Sequence, residues 1–370
     1  MLARRLQMLS KLRCYSKSRS RCWSHAVAAN TTQSTSAAAK QARPHPVVYH
    51  PDFQIQPIPD GHRFPMPKDH LLYLALQAEG LAQLTFTPTY PDAATLCLAH
   101  DAQYVESFLN GSISQQQMRR IGLPWSQQLV QRTLIGTGSA VLAARLALQY
   151  GVACMCNGGT HHAHRDHGSG WCIFNDLAVA CKAAQRDAGV GQVLMIDLDV
   201  HQGDGSATIF ADDPTVFTFN VHCGQQSFPA VVQQSDWDIP LPAGTGDAAY
   251  LQVLQEALPV LLQQVQPELV LYNAGVDVHK DDALGKLALS DEGIASRDGA
   301  VFSACAEFGV PVACALGGGY QEDHSHIVRR HMHMHRAAAE HMPAFARVMD
   351  AKRMAAAARR RQGSSQKQQP

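Results

Sequence analysis

At 370 residues and 46% hydrophobic content, the chain is long enough to bury one large core, with room for tails on either side. Residues 1–45 hold nine Lys or Arg and residues 351–370 six, without an Asp or Glu in either stretch, so a formal net charge of zero conceals an acidic body between two basic ends. Such a body argues against direct nucleic-acid binding and suits a cationic substrate, and no run of about 18 apolar residues points to a membrane span.

The first 45 residues are rich in Arg, Ser, Ala and Thr, and Met1 to Leu12 alternates basic with apolar residues. This is the composition of an organelle transit peptide. Arg13-Cys-Tyr-Ser16 resembles a mitochondrial processing pattern with the cut after Tyr15, so the expected address is the mitochondrion in preference to the plastid, with cytoplasm or nucleus as the alternative. From Pro46 to about residue 350 the composition is that of one ordered domain. Helical periodicity covers Ser126–Tyr150, Asn175–Asp187, Ala248–Val265 and Asp291–Phe308. Strand-like runs lie between them at Val152–Cys156, Val193–Asp199, Thr215–Val221, Leu269–Asn273 and Val310–Leu316. The alternation predicts an α/β fold with a single doubly wound, mainly parallel sheet covered by helices on both faces. Ligands of such a sheet sit outside the carboxyl ends of its strands. Gly136-Thr-Gly138 is no nucleotide loop, since it lies inside a helical pattern and lacks a third glycine.

Four strand ends carry chemistry. After the first comes Asn157-Gly-Gly-Thr-His-His-Ala163, where a glycine turn delivers two adjacent histidines, His161 and His162, suited to acid and base work. The second is Ile196-Asp-Leu-Asp-Val-His-Gln-Gly-Asp-Gly205. Unpaired carboxylates at the end of an apolar strand are costly, and a metal supplies their reason. Asp199 and His201 are two apart, so an extended strand points both to one face, where they can grip a cation such as zinc. The third, Leu271-Tyr-Asn-Ala-Gly-Val-Asp277, brings Asp277 to complete a three-ligand set, and the fourth, Leu316-Gly-Gly-Gly-Tyr320, brings a phenol into the cleft. By ligand type alone, iron(II) or cobalt(II) would suit these residues nearly as well as zinc. The ten cysteines are scattered, and most of them read as reduced, buried small hydrophobes. His331, His333 and His335 alternate with methionines in a region that reads as helix, where a two-residue spacing spreads them around the axis and makes no metal tract. After Ala351 the sequence reads as a frayed helix followed by a disordered basic tail.

The motifs Gly-Gly-Thr-His-His-Ala, Gly-Trp-Cys-Ile-Phe-Asn-Asp, Asp-Leu-Asp-Val-His-Gln-Gly-Asp-Gly, Asn-Ala-Gly-Val-Asp and Gly-Gly-Gly-Tyr closely resemble the zinc-dependent histone deacetylase family, from about Val47 to His341. The His-Gln-Gly-Asp form and Arg120 to Trp125 look more like its bacterial and class IV-type branch. The resemblance implies an arginase-like three-layer fold and lysine deacylation, with Asp199, His201 and Asp277 as zinc ligands. It also implies that Asp197 partners His161, Asp204 partners His162, and Tyr320 polarises the scissile carbonyl. Trp171 and Phe228 match two aromatic walls of a lysine channel, although most of the family has phenylalanine at the first of them. A structural potassium ion beside Asp197, with backbone oxygens around Asn220, is implied as well. The substrate is then an acyl-lysine protein or, alternatively, a small acylated amine such as an acetylpolyamine. A catalytically silent acyl-lysine binder fits poorly with a full set of ligands, histidines and tyrosine.

Overall fold

The computed structural model describes residues 44–366; the proposed transit segment lies outside them apart from residues 44 and 45. In chain order the elements begin with β1 (Val47–Val48), α1 (Lys68–Ala78), β2 (Thr85–Phe86), α2 (Ala93–Leu96), α3 (Ala102–Asn110), α4 (Gln115–Ile121), α5 (Gln127–Tyr150) and β3 (Val152–Met155). They continue with α6 (Asp176–Ala188), β4 (Val193–Asp197), α7 (Asp204–Ile209), β5 (Val216–Cys223), β6 (Trp237–Leu241) and α8 (Asp247–Val265). The last are β7 (Leu269–Asn273), α9 (Asp291–Glu307), β8 (Val312–Ala315) and α10 (His324–Gln366). The eight strands form one sheet in the order β2-β1-β3-β8-β7-β4-β5-β6, and every pairing is parallel. The fold is therefore the doubly wound α/β sheet expected from the alternation.

The ends of the helices follow from local chemistry. Ser126, Asn175 and Ser290 cap α5, α6 and α9 by accepting hydrogen bonds from the backbone N–H of Leu129, Ala178 and Gly293. Gly189, at φ 67°, stops α6 in a left-handed conformation. Successive strand residues divide the core in two. Val47, Cys154, Ile196, Phe219, Tyr272 and Cys314 face one cluster, completed by α1, α8, α9 and α10. Val48, Ala153, Met195, Leu271 and Ala313 face the other, where the alanine-rich sides of α5 and α6 come close to the sheet.

Three strands are additional to the sequence reading, and each is a poor sequence signal: β1 and β2 have two residues each, and β6 carries Pro240 on the sheet edge. The strand expected over Val193–Asp199 ends at Asp197. The last helix continues through Ala351 to Gln366, and residues 367–370 lie outside the described residues. Alanine and arginine from 355 to 361 rank among the best helix formers, which accounts for the extension. No helix among the described residues is long and apolar enough to cross a membrane. Eight cysteines among these residues are free thiols, seven of them buried.

Candidate active site

The four chemical segments leave the carboxyl ends of β3, β8, β7 and β4, which are consecutive in the sheet, so residues far apart in sequence arrive at one rim. Asp199, His201 and Asp277 are all buried, and one donor atom from each lies within 4.8 Å of the others. Nδ1 of His201 is 3.1 Å from Asp199 Oδ1 and 3.2 Å from Asp277 Oδ2. Ligand atoms of a tetrahedral zinc, bound at about 2.0–2.2 Å, stand roughly 3.3 Å apart, so the trio has the spacing and the oxygen and nitrogen donors to hold such an ion. Its electrostatics agree. Burial and the adjacent Asp199 carboxylate push Asp277 up to about 7, a repulsion that a divalent cation would relieve.

The convergence has a different local cause from alternation along a strand. Asp199 and His201 lie in the turn after β4, where Asp199 Oδ1 accepts from the backbone N–H of His201 at 3.0 Å and Asp277 Oδ1 accepts from that of Val200 at 2.9 Å. Glycines let the neighbouring loops in. A Cβ on Gly275 would run into the Asp199 carboxylate and stand 2.8 Å from Asp199 Cα, and one on Gly318 would collide with Asp277. Gly318 instead donates its backbone N–H to Asp199 Oδ2 at 2.7 Å.

His161 and His162 stand beside the trio with ring centroids 4.0 Å apart, and His162 is 5.9 Å from His201 on the same measure. Each has its own carboxylate: His161 Nδ1 meets Asp197 at 2.7 Å, and His162 Nδ1 meets Asp204 at 2.6 Å. The two rings nevertheless differ in charge. Burial works against the charged form of His161, but Asp197 and Asp199 outweigh it and raise the group to about 9. Burial and the positive His161 push His162 down to about 4, against the pull of Asp204. The surroundings thus favour the charged form of His161 and the neutral form of His162. Burial also works to raise Asp204, yet hydrogen bonds from His162 and His164 hold it below the ordinary carboxylate range.

Tyr320 closes the far side. Its backbone N–H donates to Asp282 at 2.7 Å, and burial followed by the Asp199 and Asp277 charges keeps its phenol protonated. Trp171, at φ 65°, packs on Tyr320 with centroids 5.3 Å apart and on His62 and Phe64. Phe228 stands edge-on to His162 at 4.7 Å. His161, His162, Trp171 and Tyr320 border a cavity of about 120 Å³ that continues inward to Lys68 and Arg132. Asn220 lies on β5 opposite Asp197 of β4, and its side chain accepts from the Gly203 N–H at 3.0 Å.

Several supporting residues had escaped the sequence reading. Asp176 accepts from the backbone N–H groups of Gly159 and Thr160, at 2.9 and 3.0 Å, and so shapes the loop that carries the histidines. It sits within the Gly-Trp-Cys-Ile-Phe-Asn-Asp motif, which could have singled it out. Lys68 donates to the Gly317 carbonyl at 2.7 Å, and Arg297 donates to those of Leu198, Ala274 and Gly275. Neither has a recognisable sequence pattern.

Comparison with known proteins agrees with this geometry. The family model described as histone deacetylase domain matches residues 62–337. An uncharacterised protein of Picosynechococcus is 50% identical over 295 residues, which are 79% of this chain and 98% of that one. Histone deacetylase 2 of Arabidopsis thaliana is 36% identical over 194 residues, about half of each chain. The crystal structure of the HDA15 HD domain superposes with a TM-score of 0.67 at 19% identity, covering 83% of this chain and 95% of that one, which is a likeness of fold. With the family match spanning most of its folded body, this chain belongs to the histone deacetylase family.

Proposed function

We propose that the protein hydrolyses the amide bond of acyl-lysine side chains, using one zinc ion held by Asp199, His201 and Asp277. Zinc would supply a Lewis acid that polarises the amide carbonyl and acidifies a water. The chain's own residues do the rest. His162, neutral and oriented through Nδ1 by Asp204, accepts a proton from the attacking water and returns it to the departing lysine nitrogen. The Tyr320 phenol donates a hydrogen bond to the amide oxygen as negative charge develops there. His161, cationic beside Asp197, adds a favourable charge and keeps His162 neutral. Trp171 and Phe228 flank the approach of the lysine chain. A potassium ion beside Asp197, near the backbone of Asn220, would stiffen the turn after β4; a small cavity there is bordered by Asp197, Thr218 and Asn220. The nine basic residues without an acid before Pro46 support import into an organelle, with the mitochondrion preferred.

The observation that carries this reading is the His162–Asp204 pair standing next to a buried Asp/His/Asp trio. Purified protein incubated with acyl-lysine peptides of several chain lengths and with acetylated polyamines, each with and without a chelator, tests it. Chelator-sensitive turnover of peptides is expected. Turnover of polyamines alone would reassign the substrate to small amines, and no turnover of either would overturn the proposal.

A further inference from the structure

A second cluster of metal-binding side chains lies away from the active site, on the sheet face covered by α10. His45, Cys154 and His335 are each fully buried, and one donor atom from each lies within 4.8 Å of the other two. Nε2 of His45 is 3.1 Å from Nδ1 of His335, across a separation of 290 residues. The backbone fixes the arrangement. Val47 pairs with Cys154 in the parallel register of β1 and β3, and the Cys154 N–H donates to the Pro46 carbonyl at 3.0 Å, so the segment carrying His45 is held against the strand carrying the thiol. His335 comes from the opposite layer. It lies four residues after His331, so the two share one buried face of α10, unlike neighbours in the alternating His-Met tract.

We propose that His45, Cys154 and His335 form a structural zinc site that fastens the lead-in to β1 and the C-terminal helix to the middle of the sheet. Two imidazole nitrogens and one thiolate are a donor set that favours zinc over magnesium or calcium. The 3.1 Å separation of the two nitrogens is close to the roughly 3.3 Å expected of two ligands on one tetrahedral ion. A second thiol is at hand: Cys314 is the cross-strand neighbour of Cys154 in the β3 and β8 pairing, and the two thiols are in hydrogen-bond contact. A cut after Tyr15 would leave His45 in the processed chain.

The site is distinguishable from the catalytic one because it contains sulfur. The full chain, purified without a histidine tag, is stripped of metal and titrated with cobalt(II) while thiolate-to-cobalt charge transfer is followed in the near ultraviolet. The trio at Asp199, His201 and Asp277 offers no sulfur and so gives no such band, and dependence on Cys154 assigns the band to the second site. The band is expected in the parent chain and in an Asp199→Ala, Asp277→Ala double variant, and it should vanish in Cys154→Ala. Zinc content should fall by one ion per chain in Cys154→Ala and in His45→Gln, which alters the lead-in instead of the sheet. Failure of Cys154→Ala to fold leaves the parent titration and His45→Gln as the deciding measurements. No band in the parent, a band that survives in Cys154→Ala, or zinc content unchanged in His45→Gln would overturn the proposal.

Discussion

Replacing Arg297 with methionine tests whether the turns bearing Asp199 and Asp277 are held from behind. The guanidinium is fully buried, and it pairs with Asp298 at 2.8–2.9 Å. It also donates to the carbonyls of Leu198 at 3.3 Å, Ala274 at 3.2 Å and Gly275, the residues that lead into the two acidic turns. Methionine fills much of the volume and supplies no donor, so Asp298 is left as an uncompensated charge in the core. Breaking a buried pair in this way costs about 3–5 kcal/mol. With an unfolding entropy of about 2.1 cal/mol/K per residue over roughly 300 folded residues, a loss of about 4 kcal/mol lowers Tm by about 6 °C. Freed carbonyls should also loosen the turns, and a fall in metal affinity of about 10- to 100-fold is the expected size for a group supporting the ligands. Adding Asp298→Leu to Arg297→Met removes the stranded charge, so the double variant should recover part of the lost Tm without recovering metal affinity. Calorimetry together with competitive metal titration reads both effects. A Tm within about 1 °C of the parent for Arg297→Met, or no loss of metal affinity, would refute the reasoning.

Stability should depend on pH through the buried histidines. Burial pushes His100 down to about 4, and burial with the charge on His161 does the same to His162. Their folded values lie below the roughly 6.5 of a free imidazole, so the unfolded chain binds more protons and stability falls as pH drops from about 6.5 toward 4. His161, raised to about 9, acts in the opposite sense: its contribution is full below about 6.5 and is lost as pH climbs through 9. Tm should therefore peak between these limits, whereas a flat profile from pH 5 to 8 would contradict these assignments. Gly275→Ala should reduce metal affinity and turnover by about 100-fold or more, because its Cβ displaces Asp199; metal analysis and peptide assays showing parental values would remove the steric argument. Residues 1–45 fused to a fluorescent protein should reach mitochondria, and a fusion that stays in the cytosol or enters the nucleus would discard the address.

The fold and the rim of the sheet could be read because helix and strand periods alternate strongly and each chemical motif follows an apolar run. Gly-Gly before His161 and His162, and Gly-Val before Asp277, mark strand ends in the sequence itself. Asp199 and His201 meet through a turn made by side-chain to backbone hydrogen bonds, not along an extended strand, and a period-two pattern does not encode such a turn. Strands of two residues, β1 and β2, have no periodicity to detect. Contacts such as Lys68 with Gly317 and His45 with His335 join parts of the chain about 250 and 290 residues apart. Nothing local foretells them. In the His-Met tract residues four apart share a face, and only the packing of α10 on β3 shows which face is covered.

The central claim, that Tyr320 and the neighbouring trio act together on an acyl-lysine amide, is tested most directly by measuring kcat and bound metal in Tyr320→Phe. The phenol touches none of the three ligands through its hydroxyl in the proposed scheme and acts on charge that develops in the transition state. Metal content should match the parent while kcat on an acetyl-lysine peptide falls by about 10²- to 10³-fold, the usual size for loss of one oxyanion donor. Unchanged kcat with full metal occupancy would contradict the account.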